Sequence, residues 1–163
     1  MHRVLIFGNS GSGKSTLAAS KAKQLACPHL DLDTVAWEAG HATPTRRTMA
    51  QSATLIEPFL EKNERWVIEG CYADLLELVV PHCTEIVFLN PGVEVCSANC
   101  RSRPWEAHKY PSPEEQDANL EMLLAWVEQY PARSDEFSLQ AHRRLFDQYT
   151  GTKREYSSNE RLD

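Results

Sequence analysis

The residues with the plainest chemical reading are Gly8-Asn9-Ser10-Gly11-Ser12-Gly13-Lys14-Ser15, which fit the pattern G-x-x-x-x-G-K-S/T without a gap. Glycines here allow a tight turn whose backbone N–H groups point inward, where they can donate to phosphate oxygens. A helix opening at the end of the turn, with Thr16 in its first residues, adds the positive end of its dipole. Lys14 would then reach the β- and γ-phosphates, and the Ser15 hydroxyl would bind magnesium. The glycines run G-x-x-G-x-G ahead of a lysine, so this is not the dinucleotide fingerprint. A glycine-rich turn without function is the alternative, and the flanking strand and helix patterns speak against it. The expected ligand is a nucleoside triphosphate.

Other candidates stand at the ends of apolar runs. Asp31 and Asp33 close the stretch His29-Leu30-Asp31-Leu32-Asp33, and alternation along a strand sends both to one side. Glu69 to Tyr72 follow Trp66-Val67-Ile68, and Asn90 follows Glu85 to Leu89. In an open α/β sheet, ligands collect at such carboxyl ends. Asp33 is the candidate for orienting an acceptor hydroxyl and drawing its proton, with a helix cap as the other reading. Glu69 could hold a magnesium water shell or be a solvated strand-end glutamate. Cys96 and Cys100 share a helix face near His108, but a fourth zinc ligand is not evident. Small buried hydrophobes are the simpler reading.

These residues need elements to hold them. Arg3 to Phe7 reads as a buried strand bounded by Gly8, and Ser15 to Ala26 as a helix stopped before Pro28. A strand over 29–33, a helix over 48–63 with Pro58 as a kink, strands over 66–69 and 85–89, and a helix over 93–101 follow. Ser112-Pro113-Glu114-Glu115 is a capping box with proline at the first helical position. It opens a helix to about Tyr130, with Leu120, Leu123, Leu124 and Val127 inward. A last helix spans about Phe137 to Tyr149, where His142 reads as a partly buried structural histidine. Strands alternating with helices predict an α/β fold with a parallel sheet, helices on both faces and a helical C-terminal part. The phosphate loop between the first strand and helix makes the expected arrangement a three-layer P-loop NTPase.

At 163 residues the chain is expected to be one domain, burying on the order of two-thirds of its unfolded surface. The longest apolar run, Met122 to Val127, is far short of the ~20 residues of a membrane span. A strand-like stretch beginning at Arg3 leaves no room for a leader, and five cysteines without one predict reduced thiols in the cytoplasm. The net charge of −6 argues against a partner recognised through a nucleic-acid backbone. That charge is local. Residues 110–136 hold seven acidic side chains against Arg133 alone, and the remaining residues balance.

The loop together with Leu30-Asp31-Leu32-Asp33 resembles the small P-loop kinases: shikimate kinase, gluconate kinase and the adenylate kinase group. Neither the N-K-x-D signature of GTPases nor the L-S-G-G-Q of transporter ATPases is present. Gly8 to Thr16, His29 to Thr34 with Trp37, and Trp66 to Gly70 are similar to small bacterial P-loop ATPases, some labelled DNA topology modulation proteins. The resemblance covers roughly residues 3–105. It implies an ATP- and magnesium-dependent kinase acting on a small-molecule acceptor, or a regulatory ATPase with a protein or nucleic-acid partner.

Several roles follow from the resemblance. Lys14, Asp33, Arg101 and Arg103 would be catalytic, and Gly8 to Thr16 would bind ATP. Asp31, Asp33, Glu69 and Tyr72 would meet the acceptor, while Ser15 and Asp33 would reach magnesium, the latter through water. Arg101-Ser-Arg103-Pro-Trp105 lies where related kinases carry a lid, so residues 101–112 are the candidate lid; a solvated helix end is the alternative. Arg46 and Arg47 could hold an anionic acceptor. Glu69-Gly70-Cys71-Tyr72 stands where shikimate kinase has a glycine triplet, which argues against shikimate. A fifth strand should follow the lid, but no β-branched run after Ser138 marks one, so its presence is left open. Gly151 to Glu155 would pack on adenine or form a solvated tail.

Overall fold

The computed structural model describes residues 1–38 and 44–159. Its strands are β1 (Arg3–Gly8), β2 (His29–Asp31), β3 (Trp66–Gly70), β4 (Glu85–Leu89) and β5 (Thr152–Tyr156). All pair in parallel, in the order β2-β3-β1-β4-β5. The helices are α1 (Lys14–Leu25), α2 (Asp33–Ala36), α3 (Met49–Lys62), α4 (Ala73–Val79), α5 (Val93–Ser102), α6 (Pro113–Glu128) and α7 (Leu139–Gln148). No described helix is long and apolar enough to cross a membrane.

Strand alternation divides the apolar side chains between two cores. Val4, Ile6, Val67, Val87 and Leu89 pack against Leu17, Ala18 and Ala22 of α1. Leu5, Phe7, Trp66, Ile68, Ile86 and Phe88 face the opposite way, onto Ile56 of α3, Leu75, Leu76 and Val79 of α4, and Leu145 of α7. The result is the three-layer α/β arrangement that the alternating elements predict. A third, smaller cluster joins Cys96 and Cys100 of α5 to Val127 of α6, with Leu120, Leu123 and Leu124 beside it. The two cysteines therefore act as small hydrophobes, and burial pushes the Cys96 thiol up to about 11. None of the five cysteines is in a disulfide.

Two expectations need correction, and the open question of a fifth strand is answered. The stretch 29–33 is not one strand: β2 ends at Asp31, and Asp33 opens α2. The Asp31 carboxylate accepts the Asp33 backbone N–H at 2.9 Å, and the Thr34 hydroxyl donates to the Asp31 carbonyl at 2.7 Å. Such local bonds turn the chain out of the strand. A fifth strand also exists, made of Thr-Lys-Arg-Glu-Tyr. It is an edge strand paired from Glu85–Thr152 to Leu89–Tyr156, so its ladder needs no apolar run, and its charges suit an edge. Gly151 to Glu155 is consequently neither an adenine loop nor a tail.

The helix boundaries follow their caps. Thr48 and Gln51 form a reciprocal capping box at the start of α3, which continues across Pro58. Ser112 accepts the Glu115 N–H at 3.2 Å to open α6, which stops at Glu128. Ser138 accepts the Ala141 N–H at 3.0 Å, so α7 begins at Leu139 rather than Phe137. His142 is wholly buried, edge-on to the stacked rings of Phe7 and Phe88. Its Nε2–H donates to the Cys71 carbonyl at 2.8 Å, and its Nδ1 accepts from the Tyr130 hydroxyl at 2.6 Å. It ties α7 to the turn after β3, and burial pulls its pKa down to about 4.

Candidate functional site

The candidate site lies where β1, β2 and β3 end. Gly8 to Gly13 turn the chain from β1 into α1, and Gly13, at φ 94°, is the residue before the helix. Gly11 has φ 80°, and a Cβ there would stand 2.4 Å from the Cys96 carbonyl oxygen and 2.7 Å from the Cys100 sulfur. The loop can thus lie against α5 only with glycine at that position. Side chains brace it from outside: Asn9 donates to the Val127 carbonyl at 3.2 Å, and Asn99 to the Gly11 carbonyl at 2.8 Å. Asn99 also exchanges hydrogen bonds with Asn159, just past β5. Ser10 and Ser12 lie within the turn, and Thr16 is exposed in the first turn of α1. Lys14 folds over the loop and donates to the Asn9 carbonyl at 2.8 Å.

Glu69, only 2 % exposed, is the buried carboxylate behind the loop. The Ser15 hydroxyl donates to its Oε1 at 2.8 Å, and His29 Nε2 lies 3.6 Å from the same oxygen. Burial alone would raise its pKa, but His29, Lys14 and Ser15 outweigh that and hold it below the ordinary value. The solvated strand-end reading of Glu69 is therefore wrong. A hydroxyl with an anionic carboxylate behind it is a hard-oxygen donor set, so Ser15 and Glu69 fit magnesium shared with phosphate oxygens and water. Among the described residues, no group of three or more His, Cys, Asp or Glu is arranged to hold a metal unaided.

Asp31 pairs in register with Glu69 across β2 and β3. Burial, and then the charges of Glu69 and Asp33, push its pKa up to about 6. Asp33 does not cap α2 through its side chain; Asp31 accepts the N–H that opens this helix. The Asp33 carboxylate instead takes the Tyr72 hydroxyl on Oδ1 and the Lys109 ammonium on Oδ2, the latter at 3.3 Å. Tyr72 is 3 % exposed: Phe137 meets its ring edge-on at 5.2 Å, and the Arg46 guanidinium lies 4.7 Å over it. Trp37 Nε1 donates to the Tyr72 hydroxyl oxygen at 2.9 Å.

The basic residues are distributed differently from expectation. Lys109, not an arginine, reaches the acidic pair. Burial opposes its charge, but Asp33, Glu106 and Asp31 outweigh it and raise its pKa. Arg103 pairs with Glu106 at 3.7 Å, while Arg101 is exposed in the last turn of α5; both line a small cleft with Tyr110 and Gln116. The segment after α5 is tied to α6: Gln116 accepts the Glu106 N–H and donates to the Pro104 carbonyl, and Asn119 donates to the Tyr110 hydroxyl. Arg46 is taken by Asp74 at 3.2 Å and Glu136 at 3.5 Å, and Arg47 by the Trp37 carbonyl at 3.0 Å. Neither is a free anion receptor. Asn90 is bound to β5, through the Tyr156 carbonyl and Glu155.

The sheet order and the loop after β1 define the class: this is the P-loop kinase fold. A shikimate kinase from Bacteroides thetaiotaomicron superposes with a TM-score of 0.56 at 21 % identity, over 99 % of this chain and 89 % of its own. The Thermus thermophilus protein TT1252 gives 0.50 at 15 % identity, over 98 % and 91 %. A gluconokinase from Sinorhizobium meliloti 1021 gives 0.43 at 19 % identity, over 76 % and 73 %. No family model and no curated protein matches the chain. At these identities the first two superpositions show the fold alone, and the chemistry rests on the side chains themselves.

Proposed function

We propose that this chain is an ATP-dependent phosphotransferase of the P-loop kinase type, magnesium-assisted, whose acceptor is a small hydroxylated or phosphorylated metabolite. The observation that carries the reading is an unbroken line of contacts from the loop to an acidic pair at one sheet edge: Ser15 to Glu69, Glu69 beside Asp31, and Asp31 to Asp33. A phosphate-binding loop alone suits any nucleotide binder. A carboxylate pair beside it suits an acceptor hydroxyl.

In this reading the loop N–H groups from Asn9 to Thr16 bind the triphosphate, and Lys14 leaves the Asn9 carbonyl for the β- and γ-phosphates. Ser15, with Glu69 behind it, would hold magnesium, which supplies charge neutralisation at the phosphate oxygens. The acceptor hydroxyl lies against Asp33, which takes its proton as the acceptor oxygen bonds to the γ-phosphorus. The bond from that phosphorus to the bridging oxygen breaks, and ADP leaves. Lys109 gives up Asp33 to the acceptor, and Arg101 and Arg103, on the candidate lid 101–112, meet the developing charge when it closes. Residues 112–150 form the helical part of a single domain.

ADP release from MgATP, measured across a panel of hydroxylated metabolites, tests the proposal. One class of compound should raise release above the rate with water. Lys14→Ala should abolish it, and Asp33→Asn should retain ATP binding while losing transfer. If no small molecule raises release above bare hydrolysis, a regulatory ATPase acting on a macromolecular partner replaces this reading.

A further inference from the structure

The Tyr72 hydroxyl has one proton and two lone pairs. Trp37 Nε1 is a donor only, and it occupies a lone pair of that oxygen at 2.9 Å. The hydroxyl proton is therefore committed to its other neighbour, Asp33 Oδ1. Burial, then the charges of Cys71 and Asp33, raise the Tyr72 pKa, so the group stays a donor. Its ring cannot turn away, being held by Phe137 on its edge and the Arg46 guanidinium over its face. Arg46 is itself fixed by Asp74 and Glu136, and its backbone forms an antiparallel bridge with Trp37. Donor and support thus belong to one braced unit.

Asp33 needs such a brace. It stands on a helix of four residues, and its side chain is 41 % exposed. Its Oδ2 pairs with the Lys109 ammonium, on a side chain itself 30 % exposed. One oxygen is anchored in the core, and the other is held by a partner that can exchange.

We infer that Trp37 and Tyr72 are positioning residues for the phosphoryl transfer: the directed bond from Tyr72 to Oδ1 aims Asp33 so that Oδ2 is the oxygen that receives the acceptor proton. This rests on the kinase reading above and changes the expected part of Tyr72, whose hydroxyl is spent on Trp37 and Asp33 rather than on the acceptor. Trp37 acts on Asp33 only through Tyr72.

The test is a double-mutant cycle on ADP release from MgATP with water as acceptor, together with KM for MgATP and thermal midpoints. Wild type should turn over slowly. Tyr72→Phe should lower kcat about tenfold to a hundredfold with KM unchanged, as expected when a reacting group is misaimed without loss of binding. Trp37→Phe should lower kcat less, because Tyr72 keeps a proton to donate but loses its direction. The double variant should be no slower than Tyr72→Phe alone. Wild-type kcat in Tyr72→Phe, at an unchanged thermal midpoint, overturns the inference. Losses that multiply in the double variant overturn the route through Tyr72. Where the wild type is silent with water, the cycle is run with the compound that raises ADP release in the metabolite panel above, and silence across that whole panel removes the kinase reading and this inference with it.

Discussion

At the scale of single residues, the site divides into groups whose role can be read from type and spacing and groups whose role depends on a distant partner. Gly11 is of the first kind. Its φ of 80° and the Cys96 carbonyl 2.4 Å from a Cβ leave no room for a side chain. Gly11→Ala should cost roughly 1–3 kcal/mol of stability and weaken ATP binding at least as severely as Lys14→Ala. Calorimetric titration with MgATP, beside a urea melt, checks this, and unchanged binding would show that the loop tolerates another path. The loop, Asp31, Asp33 and Glu69 were legible because each carries its signal locally. The pairing of Lys109 with Asp33 and the chain of bonds from Trp37 through Tyr72 to Asp33 were not. Tyr72 is separated from Trp37 by 35 residues and from Asp33 by 39, and only the pairing of β2 with β3 brings them together.

At the scale of elements, β5 shows why one expectation failed. Its five residues are mostly exposed, so no alternation marks them. What holds the strand is its ladder with β4 and a bidentate Arg143–Glu155 pair at 2.8 and 2.7 Å. Local propensity is weak where the backbone supplies the attraction. The end of β2 failed for a different reason, because the Asp31 turn broke a run that alternates well.

One buried and one half-buried group give these elements a pH signature. His142 is neutral in both states above pH 6.5, but between 6.5 and about 4 only the unfolded chain takes up its proton. Stability that His142 supplies is thus lost as pH falls through that window. Asp31 works the other way: it is protonated in the folded state below about 6 and in the unfolded chain only below 3.8. Its ionisation costs stability as pH rises through 6. Asp31→Asn keeps the oxygen that accepts the Asp33 N–H and removes the charge. The variant should be more stable than wild type at pH 7–8, by on the order of 1–2 kcal/mol. It should also lose stability more steeply between pH 6 and 4. Urea unfolding across that range measures both, and a variant curve parallel to wild type would refute the assignment.

At the scale of the whole molecule, the net charge of −6 resides in residues 110–136. The structure gives this segment a place: α6 packs its apolar stripe on α5, and Glu136 beyond it helps fix Arg46. The acidity is thus carried on the helical side of the fold, while Lys14 and Lys109 stand at the carboxyl ends of the strands. Three layers, parallel pairing and the position of the loop were all legible from alternating patterns, because each is set by which faces must be buried. The identity of the proposed acceptor was not, since one scaffold hosts many acceptors through loops that vary freely.

The claim that Asp33 directs a phosphoryl group to a small acceptor is tested most directly by following that group. The protein is incubated with magnesium and ATP labelled in the γ-phosphoryl, together with the small-molecule fraction of a cell extract. The account predicts label in an organic phosphate, its formation abolished by Asp33→Asn while ATP still binds. Label appearing only as inorganic phosphate, at the same rate with and without the extract, would contradict it.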